Sequence, residues 1–441
     1  MPKYDCRYMR DENKLCQNPD KGWYIHFYDN GLYNYGGDLA EDDMLADFPF
    51  LDHIYMRLAW AYLEPEEGKF NWELIDKVIR RFEGRYRLAF RITCKETDDT
   101  LPYATPKWVF DGGAKGEFFN GYFEPDYNDP IFLDKLNQFH KAFAQRYDSR
   151  DDVIYIDIGS YGDWGEGHCC CSSKRDWPFE TLKKHIDIYL NNYKTQLAVS
   201  DDIIGSRSDT ECNDRLLNYI IENGITIRDD GVSVKYFADN YGFDTLRSGE
   251  IFDRAWRHFP TILELEHYGT CRDKFNCYND GWPFLASCEG AHATYAGFHG
   301  FARRWLAENK ELAVMMGNKL GYWYCINGIE LPDDIHDGSF DVKMFWENIG
   351  SAPAYKPFEL KFKLCGNKNT YYATATGFNN MEMLPHTVTV REYGVDFGSV
   401  PPGEYVLKAA MLFGDRIIEI AVSDQYVDTD GYTELCKVII K

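Results

Sequence analysis

The sequence predicts an α/β protein in which a (β/α)8 TIM barrel is followed by a C-terminal antiparallel β-sandwich. Three observations predict this fold. The chain has 441 residues, room for one large barrel and a smaller partner. From about residue 20 to 330, short apolar β-rich runs alternate with longer segments of helical period, the pattern of repeated βα units on a parallel sheet. Near residue 335 the texture changes to short alternating runs punctuated by Pro and Gly. The expected division is therefore 1–335, a catalytic barrel, and 336–441, an accessory sandwich.

Eight strands are expected in the first region, the number a closed barrel requires. They are Gly22–Tyr28, His53–Trp60, Tyr86–Thr93, Val153–Gly159, Thr195–Ser200, Ile225–Asp229, Thr261–Glu266 and Leu320–Ile326. The helices expected between them are Trp72–Phe82, Pro130–Tyr147, Pro178–Tyr193, Asn213–Asn223, Asp244–His258 and His292–Asn309. In the second of these, Leu133, Leu136, Phe139 and Phe143 recur at three- and four-residue steps, one apolar stripe facing a sheet. Beyond 335, seven runs read as strands: FDVKMFWENIG, FELKFKLCG, TYYATATGF, HTVTVREYGVDFG, GEYVLKAAML, RIIEIAVSD and TELCKVIIK. The turn Pro401-Pro402-Gly403 fits an antiparallel sandwich, because Pro presets φ and Gly tolerates positive φ.

Composition narrows the function. Lys and Arg number 48 against 71 Asp and Glu, a net charge of −23, so nucleic acid or an anionic membrane surface is repelled over most of this chain. A neutral substrate suits that charge. Aromatic residues reach 16%, more than a core alone usually needs and suited to stacking on sugar rings. No segment approaches the roughly 20 apolar residues of a membrane span, and the N-terminus lacks an apolar signal core, so the chain reads as soluble. The 13 cysteines are odd in number and without framework spacing, which points to a reducing compartment. The expected location is cytoplasmic, or secreted or periplasmic where a signal peptide has been removed.

Active sites of such barrels lie at the C-terminal ends of the strands. After strand 4, Gly159 to His168 place Glu166 in a glycine-rich loop beside Trp164 and His168. Glycine lets the backbone approach a ligand, and an indole lowers the local dielectric, which favours a protonated acid. The bland alternative is a solvated loop glutamate. Strand 7 carries Glu264 and Glu266 on one face, since strand side chains alternate. Ionised acids are rarely buried without partners. Glu266, nearer the mouth, takes the reactive role, and Glu264 a structural one paired with Arg. Arg57 and Trp60 end strand 2, and an Arg beside a carboxylate keeps it deprotonated as a nucleophile requires. Trp323 is the expected floor of a sugar site, and His267 a further contact. Asp201, Asp202, Asp229 and Asp230 read either as ligands for sugar hydroxyls or as solvated turn residues.

Two carboxylates across one barrel mouth are the minimum machinery for cleaving a glycosidic bond. Separations of about 5–5.5 Å favour retention and about 6.5–9.5 Å inversion. The residues also resemble a known group. Arg57-Leu58-Ala59-Trp60, then Leu63 to Trp72 with Ile75-Asp76, then Thr105 to Val109, are similar to a conserved pattern of clan-A glycoside hydrolases, including β-galactosidase-like members. That resemblance implies Glu166 as acid/base and Glu266 as nucleophile, with Arg57 and Trp323 in support. The order Asn18 to Trp23, Gly162 to His168, Leu320 to Tyr322 and Glu347 to Tyr355 resembles a bacterial family expected to join a barrel to an immunoglobulin-like sandwich. One position departs: clan-A enzymes usually carry Asn before the strand 4 acid, where Gly165 stands here. Either another group takes the substrate 2-hydroxyl, or the site handles a different sugar face, or the chain is not a standard clan-A enzyme.

The expectation is a glycosidase acting on a β-linked hexoside or oligosaccharide by a retaining mechanism, without cofactor or metal. The sandwich is expected to pack on the barrel, to lend a loop to the site or a surface to a homodimer. The alternative is a carbohydrate-binding barrel without catalysis. A zinc site of His168, Cys169–Cys171, Cys271, Cys277 and Cys288 is a weaker rival, because three adjacent Cys do not easily reach one tetrahedral ion and no CxxC pair is present. Asp428 to Gly431 lacks the spaced acids of a calcium loop, and no phosphate loop or serine-hydrolase elbow is found.

Overall fold

Eight short strands close into a parallel barrel in the computed structural model, which describes residues 3–29, 31–32, 34–97, 101–205, 209–241 and 249–441. In chain order the barrel strands are Gly22–Tyr28, Leu51–Ala59, Arg87–Thr93, Val153–Asp157, Leu197–Ser200, Thr226–Val232, Thr261–Leu265 and Tyr295–Phe298, numbered 1 to 8 below. Strand 8 pairs with strand 7 and closes the ring on strand 1. Period-two alternation sends Tyr24, Tyr55, Ala89, Tyr155, Ala198, Ile262 and Tyr295 into one buried cluster, a layer of the barrel interior. Gly297 faces that layer too, and a Cβ there would lie 2.1 Å from the Tyr24 ring. Strand 8 therefore needs glycine to admit the tyrosine.

The helices follow their strands. Pro130–Tyr147 starts at Asp129, whose carboxylate accepts from the N–H groups of Ile131 and Phe132, with Pro at the first position. It buries Phe132, Leu136, Phe139 and Phe143, while Leu133 is only half-buried, so the apolar stripe is turned by one residue from the expected one. The expected helix Asp244–His258 begins among residues 242–248, outside the described ones, and its described part is Gly249–Ala255.

The eighth strand differs from expectation. Leu320–Ile326 is not in the barrel: Tyr324–Glu330 lies between Lys3–Asp5 and Ser339–Asn348 in an antiparallel sheet. A continuous apolar run reads alike in a parallel barrel and in a sandwich. The true strand 8 is four residues long and contains a glycine, a weak β signal within what was expected to be a helix from His292.

The chain divides into two units, Trp23–Ala313 and Met1–Gly22 with Val314–Lys441, instead of at 335. The second unit holds two antiparallel sheets. One contains Lys3–Asp5, Tyr324–Glu330, Ser339–Asn348 and Val388–Asp396. The other contains Thr370–Thr374, Glu359–Cys365, Gly403–Phe413 and Arg416–Ile418, with Thr433–Ile440 paired to Gly403–Phe413. All seven expected runs beyond 335 contain a strand. Val342, Met344, Leu360, Phe362 and Leu407 from the two sheets share one apolar core. No described helix is long and apolar enough to cross a membrane.

Candidate active site

Above the tyrosine layer, six of the eight barrel strands carry an ionisable residue. Strand 1 supplies His26, with Asp29 just beyond its end, strand 2 Arg57, strand 3 Arg91, strand 4 Asp157, strand 6 Arg228 and strand 7 Glu264; all are buried. His299 follows strand 8. Burying this many charges is tolerable only if each meets an opposite one. Asp157 accepts from Tyr55 Oη at 2.5 Å and Arg228 Nε at 2.9 Å, with Arg91 Nε at 3.2 Å. Glu264 accepts from Tyr24 Oη and His26 Nε2, both at 2.8 Å, and from Arg228 Nη1 at 3.4 Å. Asp29 lies 2.8 Å from Arg57 Nε.

His299 ties strands 1 and 7 together. Its Nδ1 is 2.6 Å from Asp29 Oδ2 and its Nε2 2.6 Å from Glu264 Oε1, so both ring nitrogens donate and the ring is an imidazolium. Burial opposes that charge, but the Glu264 and Asp29 carboxylates outweigh it and push the pKa up to about 10. The same pairing holds both acids well below the usual carboxylate range against their own burial: His299, His26 and Arg228 act on Glu264, and Arg57, His299 and His26 on Asp29.

Two side-chain groups there have the proximity of metal ligands, His26–Glu264–His299 and Asp29–His267–His299. In the same layer the Arg57 and Arg228 guanidinium groups face the Asp29 and Glu264 carboxylates. Among the described residues no such group includes a cysteine, and all 13 cysteines are free thiols.

The rim above this layer carries the expected acids. Glu166 follows strand 4 in a tight loop. The N–H of Asp163 donates to the His168 carbonyl at 2.7 Å and that of Glu166 to the Asp163 carbonyl at 2.9 Å. Trp164 takes a positive φ of 54°, and its carbonyl accepts from Arg91 Nη1 at 3.2 Å. Gly165 explains the departure from the clan-A pattern: its φ is 73° and a Cβ would stand 2.5 Å from the Gly159 carbonyl oxygen, so no asparagine fits. Glu166 Oε1 lies 3.2 Å from Arg91 Nη1 and 3.4 Å from Arg57 Nη1, while Oε2 lies 3.8 Å from His168 Nε2. Glu266, directly after strand 7, is half-buried, and its Oε1 accepts from the His267 N–H at 2.8 Å. The His267 ring bonds through Nδ1 to the Tyr35 hydroxyl. Burial and the charge of His299 hold His267 neutral, with its pKa lowered to about 3.

The predicted residues are thus partly united. Arg57, Trp164, Glu166 and His168 form one cluster. A chain of contacts leads from Glu166 through Arg57, Asp29 and His299 to His267, beside Glu266. Two expected contacts are corrected. Trp60 is wholly buried: the strand ends at Ala59, and the indole turns outward onto Phe139, donating its N–H to Glu64 Oε2 at 2.8 Å. Trp323 belongs to the other unit, where it is buried with Cys16, Cys325 and Ala421. Asp201 and Asp229 are buried, Asp202 is half-buried, and the side chain of Asp230 lies outside the described residues. Asp29, Tyr35, Arg91, Asp157, Arg228 and His299 were not anticipated. For Arg91, Asp157 and Arg228 the signal was present in strands 3, 4 and 6, as charged residues on the inward-facing side of largely apolar runs, whereas Asp29, Tyr35 and His299 lie outside the strands.

No family model matches the chain. Two curated relatives are β-galactosidases. GalA of Bacillus licheniformis is 28% identical over 178 residues, 33% of this chain and 23% of that protein. BglY of Alicyclobacillus acidocaldarius is 30% identical over 162 residues, 32% of this chain and 23% of that protein. The chain therefore matches less than a quarter of either relative's length. Among solved structures, it is similar to endo-glycoceramidase II from Rhodococcus sp., at 12% identity and a TM-score of 0.41 over 88% of this chain and 100% of that one. It is also similar to a β-galactosidase from Bacillus circulans sp. alkalophilus, at 12% identity and a TM-score of 0.39 over 65% of this chain and 51% of that one.

Proposed function

We propose that the barrel is a glycoside hydrolase acting on a β-linked hexoside, with Glu166 as acid/base and Glu266 as nucleophile. The observation that carries this reading is the pair of half-buried glutamates on the rim, after strands 4 and 7, above a layer of buried charges that fixes their surroundings. The sequence similarity to two β-galactosidases supports the same chemistry.

In the first step Glu166 gives its proton to the leaving oxygen as Glu266 attacks the anomeric carbon, forming a glycosyl ester. In the second, Glu166 takes a proton from water, which displaces Glu266 and releases sugar of the starting configuration. Arg57 and Arg91 face Oε1 of Glu166 and His168 faces Oε2, which orients the carboxyl group. The His267 N–H donates to Oε1 of Glu266 and so helps to orient the nucleophile. With Trp60 and Trp323 both buried, Trp164 is the tryptophan of the predicted set that is left for sugar stacking.

Hydrolysis of a panel of aryl β-glycosides and oligosaccharides tests the reading, with Glu166→Gln and Glu266→Gln in parallel. Turnover lost in both variants supports the pair. Absence of wild-type turnover across the panel refutes the enzyme. Release of the inverted anomer first, followed by NMR, refutes the double displacement.

A further inference from the structure

Across the barrel from Glu266, the rim carries an aromatic hairpin. The connection after strand 3 folds Gly116–Phe119 and Tyr122–Pro125 into an antiparallel pair, with Phe118 opposite Phe123. Side chains alternate along each strand, so the hairpin has one aromatic face and one anchored face. On the first, the rings of Phe118 and Phe123 lie 4.9 Å apart, and Tyr103 and Phe110 pack on Phe123 at 5.0 and 4.2 Å. None of these four rings is buried: three are half-buried, and Phe118 is 53% exposed. Rings that meet one another yet stay in water forgo much of the gain of burial, and such a cluster beside a barrel mouth marks a contact surface. On the second face, the buried Glu124 carboxylate accepts from the Ser173 N–H at 3.1 Å and the Ser173 hydroxyl at 2.7 Å. At the tip, Asn120 Nδ2 donates to the Cys171 carbonyl at 3.1 Å, and the Cys171 N–H donates to Asp163 Oδ2 at 2.8 Å. Asp163, Cys171 and Ser173 belong to the connection after strand 4 that carries Glu166, so the hairpin is fastened to the Glu166 loop.

We propose that the aromatic face of this hairpin is a subsite for a sugar ring of the leaving group, and hence that the substrate is an oligosaccharide. This inference rests on the roles given above to Glu166 and Glu266. Strand 3 is next to strand 4 and four places from strand 7 in either direction around the ring. A displacement expels its leaving group on the side away from the nucleophile. With Glu266 after strand 7, the leaving group departs toward the loops after strands 3 and 4, where Glu166 protonates it and the hairpin stands. A sugar ring offers a flat patch of C–H groups to an aromatic face and brings no charge, which suits a chain of net charge −23. The bonds to the Glu166 loop hold the rings in place before the sugar arrives, so binding has little ordering to do.

Chain length tests this on the full chain. kcat/KM is measured for β-linked galacto-oligosaccharides and cello-oligosaccharides from dimer to tetramer, and for the aryl β-glycosides of both sugars, with wild type, Phe118→Ala and Phe118→Trp. In the series the wild type cleaves, kcat/KM is expected to rise about tenfold from dimer to tetramer, and Phe118→Ala to lose about that factor on the tetramer. Its rate on the aryl glycoside and its melting temperature should stay unchanged, and Phe118→Trp should keep the rise. A flat series, an equal loss on the aryl glycoside, or turnover of aryl glycosides alone overturns the subsite. So does self-association in sedimentation that Phe118→Ala abolishes, because a second copy then covers the rings. If no substrate is turned over, the glycosidase reading fails, and calorimetric titration with the two tetramers reads the hairpin by itself. Affinity weakened about tenfold by Phe118→Ala then sustains a sugar platform. Absence of binding, or binding that the substitution leaves untouched, overturns it.

Discussion

The interior of the barrel and its rim use the same residue types for opposite ends. Glu264 and Glu266 are two residues apart, one on strand 7 and one just past its end, yet Glu264 is sealed from water and held by Tyr24, His26, His299 and Arg228, whereas Glu266 is half-buried beside a backbone N–H. Two residues along the chain separate a carboxylate sealed among its partners from one at the half-buried rim. The lesson is that reactivity at such a mouth follows from depth: the lower layer neutralises itself, and the rim inherits its geometry.

The largest effects should separate these regions. Glu166→Gln and Glu266→Gln should each lower kcat/KM by about 10⁴-fold, roughly 5.5 kcal/mol of barrier, with the melting temperature nearly unchanged. Calorimetry beside steady-state kinetics checks this, and a variant that melts much earlier places its glutamate with the lower layer. Glu264→Ala should do the reverse, costing about 3–5 kcal/mol of stability because two histidines and an arginine lose their shared anion. Urea unfolding that shows a loss under about 1 kcal/mol would break the distinction.

A smaller cost is expected at the tyrosine layer. Gly297→Ala drives a methyl into the Tyr24 ring, and the resulting overpacking should cost about 1–3 kcal/mol by the same unfolding measurement. Unchanged stability would mean that Tyr24 has room to move and that the layer does not anchor Glu264.

The gentlest effect is graded with pH. The raised pKa of His299 means its contribution is complete below its ordinary value of 6.5 and is lost as pH rises through about 10. The lowered values of Asp29 and Glu264 mean their contribution is complete above the usual carboxylate range and is lost as pH falls through their folded values. Melting temperature against pH should therefore show a plateau with an alkaline shoulder, and His299→Gln should remove the shoulder. A shoulder that survives the substitution assigns it to another group.

Much of the fold was legible because it rests on periodicity. Seven of the eight barrel strands and the seven runs beyond residue 335 announce themselves as apolar alternation between turn residues. Tyr295–Phe298 did not, because two of its four residues are Ala and Gly, the glycine being required by the Tyr24 ring opposite. Tyr324–Glu330 was misplaced because an apolar run carries no sign of which sheet will pair with it. Of the site, Glu166 and Arg57 were legible from position and do meet. Trp60 was not, since the turn into a helix at Ala59 reverses the side to which its indole points.

By itself the sequence determined the first seven barrel strands, the runs beyond residue 335 and the polar residues those strands carry, because each depends on neighbours two to four residues away. Only the tertiary structure decided which of those polar groups neutralise one another. Asp29 and His299 are 270 residues apart in the chain, yet lie in hydrogen-bond contact when the barrel closes. Pairing across a closed ring depends on register and depth, and no local pattern of residues encodes either.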